Sequence, residues 1–386
     1  MRSKTNLMAA SRQWAERPAD QRFWTLQDLL DRTKLYAEQC VIKPVALGEC
    51  SVIPNGDDLR LVGPEGHSAE FMHYSFGQVA GLAQAPASYL RALPAPLASQ
   101  CLNHGLAHVG GEQSLMFHKN GGLHLRCVTS DKYARIWNWE VAELALALQE
   151  QEGWRTPPAR PCGLPNIEVR TATKEDVLRN SAHPSMGIKV GDSISPAGLY
   201  ASDHDLFIFQ VNEDYPVEAG DGETLYRGVF WRNSEVGECK WRGTFFLYDS
   251  VCGNHIVWGA KVLAEIAITH TGSARERFAE AMASCHAYIS HAASDDEKRI
   301  EVAKGTILGS TQVEVVETVF KKQFGLSKRE CEDSYVLAVR HADDHGNNPH
   351  SAWGYAAGVT RLSQGRYTDE RDRMDRAAGK ILSLAL

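Results

Sequence analysis

The stretch with the greatest potential for chemistry is residues 226–248, YRGVFWRNSEVGECKWRGTFFLY, in which basic and aromatic residues are interleaved. It contains four cations: Arg227, Arg232, Lys240 and Arg242. Only two acids, Glu235 and Glu238, lie among them, so the local charge is four minus two, or +2, against −7 for the whole chain. Cationic side chains neutralise phosphates and aromatic faces stack on unpaired bases. The stretch therefore predicts a groove for single-stranded nucleic acid.

A second segment, residues 126–139, adds further basic and aromatic residues to this field, namely Arg126, Lys132, Tyr133, Arg135, Trp137 and Trp139. We expect Lys132 and Arg135 to line one cleft with the four cations of 226–248, and Trp231 or Tyr133 to stack on bases. The turn at 233–237 predicts a hairpin. Strand alternation then places Lys240, Arg242 and Thr244 on one face and Trp241, Gly243 and Phe245 on the other. The alternative is that the aromatic residues fill a sheet core while the cations face water.

A metal site is the weaker possibility. His341, His345 and His350 lie in HADDHGNNPH, where imidazole and carboxylate groups could bind a divalent ion, although a solvated loop explains the same residues. The sequence contains no HExxH arrangement, and we expect no metal and no cofactor. Cys252 and His255 could form a thiolate pair, but a buried thiol beside a turn is the simpler interpretation.

Several catalytic motifs are absent, namely the P-loop GxxxxGK[ST], the GxGxxG fingerprint and the GxSxG elbow. The nine cysteines include no CxxC pair, which favours free thiols in a reducing compartment over a disulfide framework or a zinc ribbon. No catalytic residue is predicted. An enzyme is not excluded, but no motif requires one.

The 386 residues predict two or three folding units, and the composition is that of a globular protein. No apolar run is long enough to cross a membrane, and the polar N-terminus is unlike a secretion signal. We therefore expect a cytoplasmic protein without a membrane partner. The net charge of −7 disfavours coating of nucleic acid by bulk charge, but it leaves room for a local basic groove.

The helices and strands that the sequence pattern predicts around these residues indicate an α+β fold, with an antiparallel β-rich core and a mostly helical C-terminal region. We assign 1–50 to a helical lead-in capped at Thr25, 51–268 to the core and 269–386 to the helical region. Alternating strand patterns give way to 3.6-residue periodicity near residue 270. Four capping-box patterns support the helical assignment. They are Ser273 with Glu276, Ser294 with Glu297, Thr311 with Glu314, and Ser327 with Glu330.

Inside the core, 113–128 predicts a hairpin, 129–139 a turn followed by a strand, and 140–151 a helix. The proline-rich stretch 153–166 is the best candidate for a linker. In the helical region, Val316, Phe320 and Phe324 are spaced as one buried stripe, with Gly325 as the C-cap.

Several segments together resemble a phage/plasmid-like family of unknown function, whose members are encoded by prophages, phages and plasmids. They include RCVTSDKYARIWNWEV, VGDSISPAGLY, NSEVG at 233–237 and SAWGYAAGVTRLSQ, in this order. The resemblance covers roughly residues 10–386. The chain departs from the family pattern at 252–255, where Cys-Gly-Asn-His replaces Cys-Thr-Asn-Gly, and at 357–360, where Ala-Gly-Val-Thr replaces Asn-Ala-Val-Thr.

The resemblance implies a cytoplasmic protein of a mobile element and provides no catalytic residues. Genes of this kind often lie near replication and recombination functions, which agrees with the basic and aromatic field. We therefore expect a non-enzymatic protein that binds or anneals single-stranded DNA as a homo-oligomer. Clustered tryptophans at 231, 241 and 258 suggest the subunit interface. Two alternatives stay open: a metal-dependent hydrolase acting on nucleotides or DNA, and a phage protein that inhibits a host factor.

Overall fold

The computed structural model of the chain describes residues 21–156, 160–161, 170–175, 189–195, 199–220, 223–249, 255–256, 265–270, 276–363, 366 and 368–385. These residues form an α+β protein in which sheets dominate the first two thirds and helices the last third. The change near residue 270 agrees with the sequence analysis. No helix within the described ranges is long and apolar enough to cross a membrane.

A six-stranded sheet forms the first layer. Its strands are β1 (Cys40–Ala46), β2 (Ser51–Asn55), β3 (Asp58–Val62), β4 (Ser68–Phe71), β5 (Glu112–Lys119) and β6 (Leu123–Thr129), in the order β1-β5-β6-β4-β3-β2. All neighbours are antiparallel except β4 and β6, which are parallel. The β5–β6 pair is the predicted hairpin. The supposed helical lead-in already contains β1, because the backbone of this segment pairs with β5 along its full length.

Helices cover this sheet on one face and connect it to the next layer. They are α1 (Leu26–Glu38), α2 (His73–Leu82), α3 (Ala87–Leu90), α4 (Ala95–Leu106) and α5 (Asn138–Glu152). Thr25 caps α1 as expected, its hydroxyl accepting the amide N–H of Asp28 at 3.0 Å. Apolar residues of α2 and α4, including Phe76, Val79 and Leu102, pack on β2, β3, β5 and β6.

The second layer is a larger, seven-stranded antiparallel sheet. Its strands are β7 (Trp154–Arg155), β11 (Leu199–Ala201), β12 (Leu206–Gly220), β13 (Glu223–Asn233), β14 (Trp241–Asp249), β15 (His255–Ile256) and β16 (Glu265–Ile268), with the main path β11-β12-β13-β14-β15. A small three-stranded sheet is formed by β8 (Arg160–Pro161), β9 (Arg170–Thr171) and β10 (Ser193–Ser195). Most of the proposed linker 153–166 lies outside the described residues.

The larger sheet separates two apolar clusters. On its first face, Trp231, Trp241 and Phe245 are buried against α1, α5 and the helix that begins at Glu276. On its second face lies an aromatic layer that consists of Phe207, Phe209, Phe230 and Phe246. Strand residues alternate between these faces, because successive side chains of a strand point in opposite directions.

The C-terminal region is helical. Its helices are α6 (Glu276–Ile289), α7 (Ala293–Gly305), α8 (Gln312–Lys321), α9 (Lys328–His345), α10 (Ala352–Ser363) and α11 (Thr368–Leu382). Thr311 and Ser327 cap α8 and α9 as predicted. Ser294 does not cap α7, because this helix already begins at Ala293 and Ala292 occupies the N-cap position. Ser273 lies outside the described residues.

Two further expectations are wrong. Residues 134–137 form no strand, because Ala134 and Ile136 donate their amide N–H groups to the carbonyl and the Nδ1 of His270 instead of a neighbouring strand. In α8 the buried residues are Val315, Val316 and Val319, whereas Phe320 is 43% exposed.

Candidate functional site

The β13–β14 hairpin brings the two central arginines of the basic field together. Arg232 lies directly opposite Arg242 in the antiparallel register. Thr244 shares their face, while Trp241 and Phe245 are buried on the other face, as strand alternation predicts. Lys240 is exposed immediately before β14. The second face of the larger sheet therefore carries basic groups at its hairpin end.

Helix α11 adds two more arginines to this second face. The guanidinium of Arg371 lies over the ring of Phe209 at 5.6 Å, and Nη2 of Arg376 donates to the hydroxyl of Thr244 at 3.1 Å. The guanidinium of Arg232 lies over the ring of Phe207 at 5.3 Å. We call Arg232, Arg242, Arg371 and Arg376, together with the aromatic layer beneath them, the arginine–aromatic face.

Carboxylates accompany three of these arginines. Arg232 pairs with Glu238 at 3.3 Å, Arg371 with Asp375 at 3.6 Å and Arg376 with Asp372 at 3.0 Å. Burial raises the pKa of Asp375 to about 7, although Arg371 and the hydroxyl of Ser363 oppose this shift. Among the described residues, Glu238, Asp375 and Asp372 thus offset part of the positive charge of this face, and the carboxyl of Asp375 loses its charge as the pH falls below about 7.

Two of the expected nucleic-acid contacts lie inside the protein. The side chain of Arg227 is 1% exposed and donates to the carbonyl of Ile289 and the carboxylate of Asp296, both at 2.8 Å. The indole of Trp231 is fully buried and donates to Gln210 at 3.1 Å. The placement of Arg227 and Trp231 therefore favours a core role for both residues.

The segment 132–135 packs against the loop that ends β13. Lys132 is exposed. The hydroxyl of Tyr133 donates to the carbonyl of Ser234 at 3.0 Å, and its ring stacks on His270 at 4.9 Å. The guanidinium of Arg135 donates to the carbonyl of Glu235. Tyr133 and Arg135 thus hold the loop in place, and Lys132 is the member of this segment that faces solvent.

The NSEVG loop, residues 233–237, is anchored to the start of α5 and to the loop between β11 and β12. Asn233 donates to the carbonyl of Ile136 and to the side chain of Asn138, both at 2.9 Å. The hydroxyl of Ser234 donates to the carbonyl of His204 at 2.7 Å. These bonds satisfy buried polar groups, so the motif has a structural explanation.

Glu235, the acid of that loop, makes a buried ion pair that sequence reasoning missed. Its partner Arg126 is the extra residue of a β-bulge, because Cys127 and Leu125 pair with Met116 and Phe117 and leave Arg126 without a register partner. The two side chains are 1% and 2% exposed, and their charged atoms are 2.5 Å apart. Burial lowers the pKa of Arg126, but Glu235, Tyr36 and Cys40 together outweigh burial, so the net direction of the pKa is upward.

A polar cavity of about 210 Å³ lies beside this ion pair. It is lined by Gln21, Arg32, Thr33, Tyr36, Met72, Asn120, Arg126, Asn138, Ala201, Ser202, Asp203 and Glu235. Tyr36 is held between the guanidinium of Arg126 at 4.5 Å and the ring of His118 at 4.0 Å. Burial and the charge of Arg126 lower the pKa of His118 to about 4, so this imidazole is neutral near pH 7.

The groups proposed for a metal do not form a site in the part of the chain that the structure describes. His341 is buried within α9, and His350 accepts or donates a 2.6 Å hydrogen bond with the hydroxyl of Tyr335. No cluster of three His, Cys, Asp or Glu side chains suits a metal ion among the described residues. The side chains of His345, Cys252 and His255 lie outside them.

Comparison with known proteins gives one match. A family model described as a domain of unknown function (DUF932) matches residues 176–376, which include the larger sheet except β7 and most of the C-terminal helical region. The six-stranded sheet lies before the matched region, so the Arg126–Glu235 ion pair joins a residue outside the match to one inside it. Neither the curated proteins nor the solved structures contain a match to this chain.

Proposed function

The chain belongs to the DUF932 family of unknown function, and from this premise we propose that it binds single-stranded DNA through the arginine–aromatic face and promotes annealing as a homo-oligomer. The proposal needs no nucleotide hydrolysis, in keeping with a sequence that has no P-loop. Phage single-strand annealing proteins are the functional analogy.

One observation carries the proposal: four arginines from β13, β14 and α11 converge on one face of the larger sheet. Arginine suits this role because its five N–H groups can bond a carboxylate and a phosphate at once. The side chains of Arg232, Arg371 and Arg376 are 14%, 13% and 26% exposed, and exposed Lys240 extends this partly buried positive surface beyond the hairpin end. Such a surface would hold a strand mainly through its phosphates, and affinity would then depend steeply on salt.

The aromatic rings of this face have a supporting role. Phe207, Phe230 and Phe246 are almost fully buried, so they are unsuited to stacking on bases. Instead, the guanidinium of Arg232 rests on Phe207, and that contact holds a charged group in a fixed orientation. We therefore propose backbone recognition with little dependence on base sequence.

Oligomerisation requires a surface other than the one suggested by the tryptophans. Trp231 and Trp241 fill the protein's own core, and Trp258 lies outside the described residues. Apolar side chains exposed on the C-terminal helices support self-association better. Val313, Phe320 and Val336 are 65%, 43% and 47% exposed on α8 and α9. Light scattering tests this part, since a monomer of 42.7 kDa at micromolar concentration would contradict it.

The cellular setting is also a proposal. The resemblance to phage/plasmid-like proteins supports a gene on a mobile element and a protein that works in the cytoplasm of a bacterial host. Fractionation of an infected or plasmid-bearing cell, followed by detection of the protein with an antibody, would test the compartment. Recovery in the membrane fraction would contradict it.

The test of binding uses paired variants on the face. Lys240→Glu and Arg242→Gln together remove two proposed phosphate contacts. Fluorescence anisotropy with a labelled oligothymidylate, measured over a salt series, should then show a slope of log K against log salt that is shallower by about 1.4 units, at ~0.7 per contact. Lys298→Glu on α7 is the matched control, because Lys298 is exposed and lies outside this face.

An unchanged slope in the folded double variant would overturn the proposed face. Absence of any binding by the wild type, even at low salt, would overturn single-strand binding itself. That result would favour the alternative in which the protein inhibits a host factor. If the slope of log K against log salt became equally shallow in the Lys298→Glu control, the effect would come from the general charge of the protein and not from contacts on the arginine–aromatic face.

A further inference from the structure

The polar cavity beside Arg126 has the size of a single heterocyclic ring. An engineered protein cavity of about 150 Å³ holds benzene, which has six heavy atoms. On that scale the present cavity of about 210 Å³ takes one six-membered ring with two or three substituent atoms. A purine, with two fused rings, is larger than this space.

The walls of the cavity offer a fixed acceptor and a fixed donor. Asp203 uses Oδ1 to pair with Nδ1 of His204 at 2.8 Å, which leaves Oδ2 for a ligand. Burial raises the pKa of Asp203, but its bond with His204 and the charge of Arg126 outweigh this, so the pKa is lowered and the group is a carboxylate. Asn138 is 1% exposed, and its side-chain N–H groups make no hydrogen bond to a described residue.

The remaining charges of the cavity distinguish its interior from its rim. Arg126 and Glu235 neutralise each other in their buried ion pair. Arg32 lines the cavity but is exposed, and it makes no ion pair within the described part of the chain. The interior thus suits an uncharged ring that carries both donors and acceptors, and the rim suits an anion.

We propose that this cavity binds a cytosine nucleotide, with the ring inside and the phosphate at Arg32. A cytosine ring has an amino group that can donate to Asp203 and carbonyl and ring-nitrogen acceptors that can take the N–H of Asn138. Uracil and thymine present a carbonyl where cytosine has the amino group, and a carboxylate disfavours that oxygen. The ligand is either a free nucleotide or one cytosine of a strand.

This inference does not depend on the arginine–aromatic face. Isothermal titration with cytidine monophosphate, cytidine and uridine monophosphate tests the free ligand. We expect cytidine monophosphate to bind at least about tenfold more tightly than uridine monophosphate. Arg32→Gln should weaken binding of the monophosphate and leave cytidine unchanged, because only the phosphate reaches the rim. The double variant Lys240→Glu with Arg242→Gln should bind cytidine monophosphate and cytidine with the same affinities as the wild type.

A second arm tests the strand as the source of the base. An oligothymidylate with a single central cytosine is compared with the all-thymine strand in the same anisotropy assay. Preference for the monophosphate identifies a free nucleotide, and preference for the cytosine-containing strand identifies a base within DNA. Asp203→Asn should reduce or reverse the preference for cytosine, because its amide can donate to the carbonyl of uracil. Equal binding of cytosine and uracil ligands, or binding of neither in both arms, overturns the proposal.

Discussion

Replacing Arg126 by methionine should destabilise the protein strongly. The substitution keeps an apolar stem but removes the partner of Glu235, whose side chain is 2% exposed. It also removes the 2.7 Å bond from Nε to the carbonyl of Asp203. Breaking a buried ion pair by removing one member typically costs about 3–5 kcal/mol, because the remaining charge is left without compensation. We expect a loss of that size in the free energy of unfolding.

Urea denaturation followed by tryptophan fluorescence measures this loss. The matched control is the double variant Arg126→Met with Glu235→Gln, in which the orphaned charge is removed as well. The amide oxygen introduced by Glu235→Gln could still accept the backbone N–H of Asn138, which the Glu235 carboxylate accepts at 2.6 Å. The double variant should therefore be more stable than Arg126→Met alone, with a coupling energy of at least about 1 kcal/mol.

The reasoning would be refuted by an Arg126→Met protein that lies within about 0.5 kcal/mol of the wild type, the range of ordinary surface substitutions. It would also be refuted if the separate effects of Arg126→Met and Glu235→Gln on the free energy of unfolding simply added in the double variant. In either case the ion pair would not be what joins the six-stranded sheet to the NSEVG loop.

Two further predictions concern the C-terminal helices. Because burial raises the pKa of Asp375 to about 7, above its value of about 4 in the unfolded chain, this group lowers stability as the pH rises from about 4 to 7. Asp375→Asn should match the wild type near pH 4 and exceed its thermal stability above pH 7, and a constant difference across pH would contradict this. A Cβ at Gly358 would overlap the carbonyl of Ser334, so Gly358→Ala should cost about 1–3 kcal/mol in urea unfolding. Gly305→Ala meets no atom within 4 Å and should be neutral; equal effects of the two would show that the α9–α10 contact is loose.

Local patterns made much of the fold predictable. The hairpin β13–β14, the caps Thr311 and Ser327 and the change near residue 270 depend on neighbouring residues, and the structure contains all of them. The buried stripe of α8 was misassigned because apolar residues occupy two adjacent stripes of that helix. Its tertiary packing selects the stripe with Val315 and Val319.

The candidate site was only partly predictable, for two different reasons. Arg227 and Trp231 lie four residues apart on β13, so their side chains point to the same face of the sheet. Alternation alone would therefore have placed Arg227 on the buried face with Trp231. Arg371 and the Arg126–Glu235 pair depend on contacts between segments far apart in the chain, and the bulge at Arg126 leaves no mark in the local pattern. No spacing rule brings such residues together.

The most direct test of the account is the salt dependence of wild-type binding to a labelled oligothymidylate. If three to five cations of the arginine–aromatic face contact phosphates, log K should fall with log salt with a slope of about −2 to −3.5. No detectable binding at low salt, or an affinity that does not change with salt, would contradict the claim that this face holds single-stranded DNA.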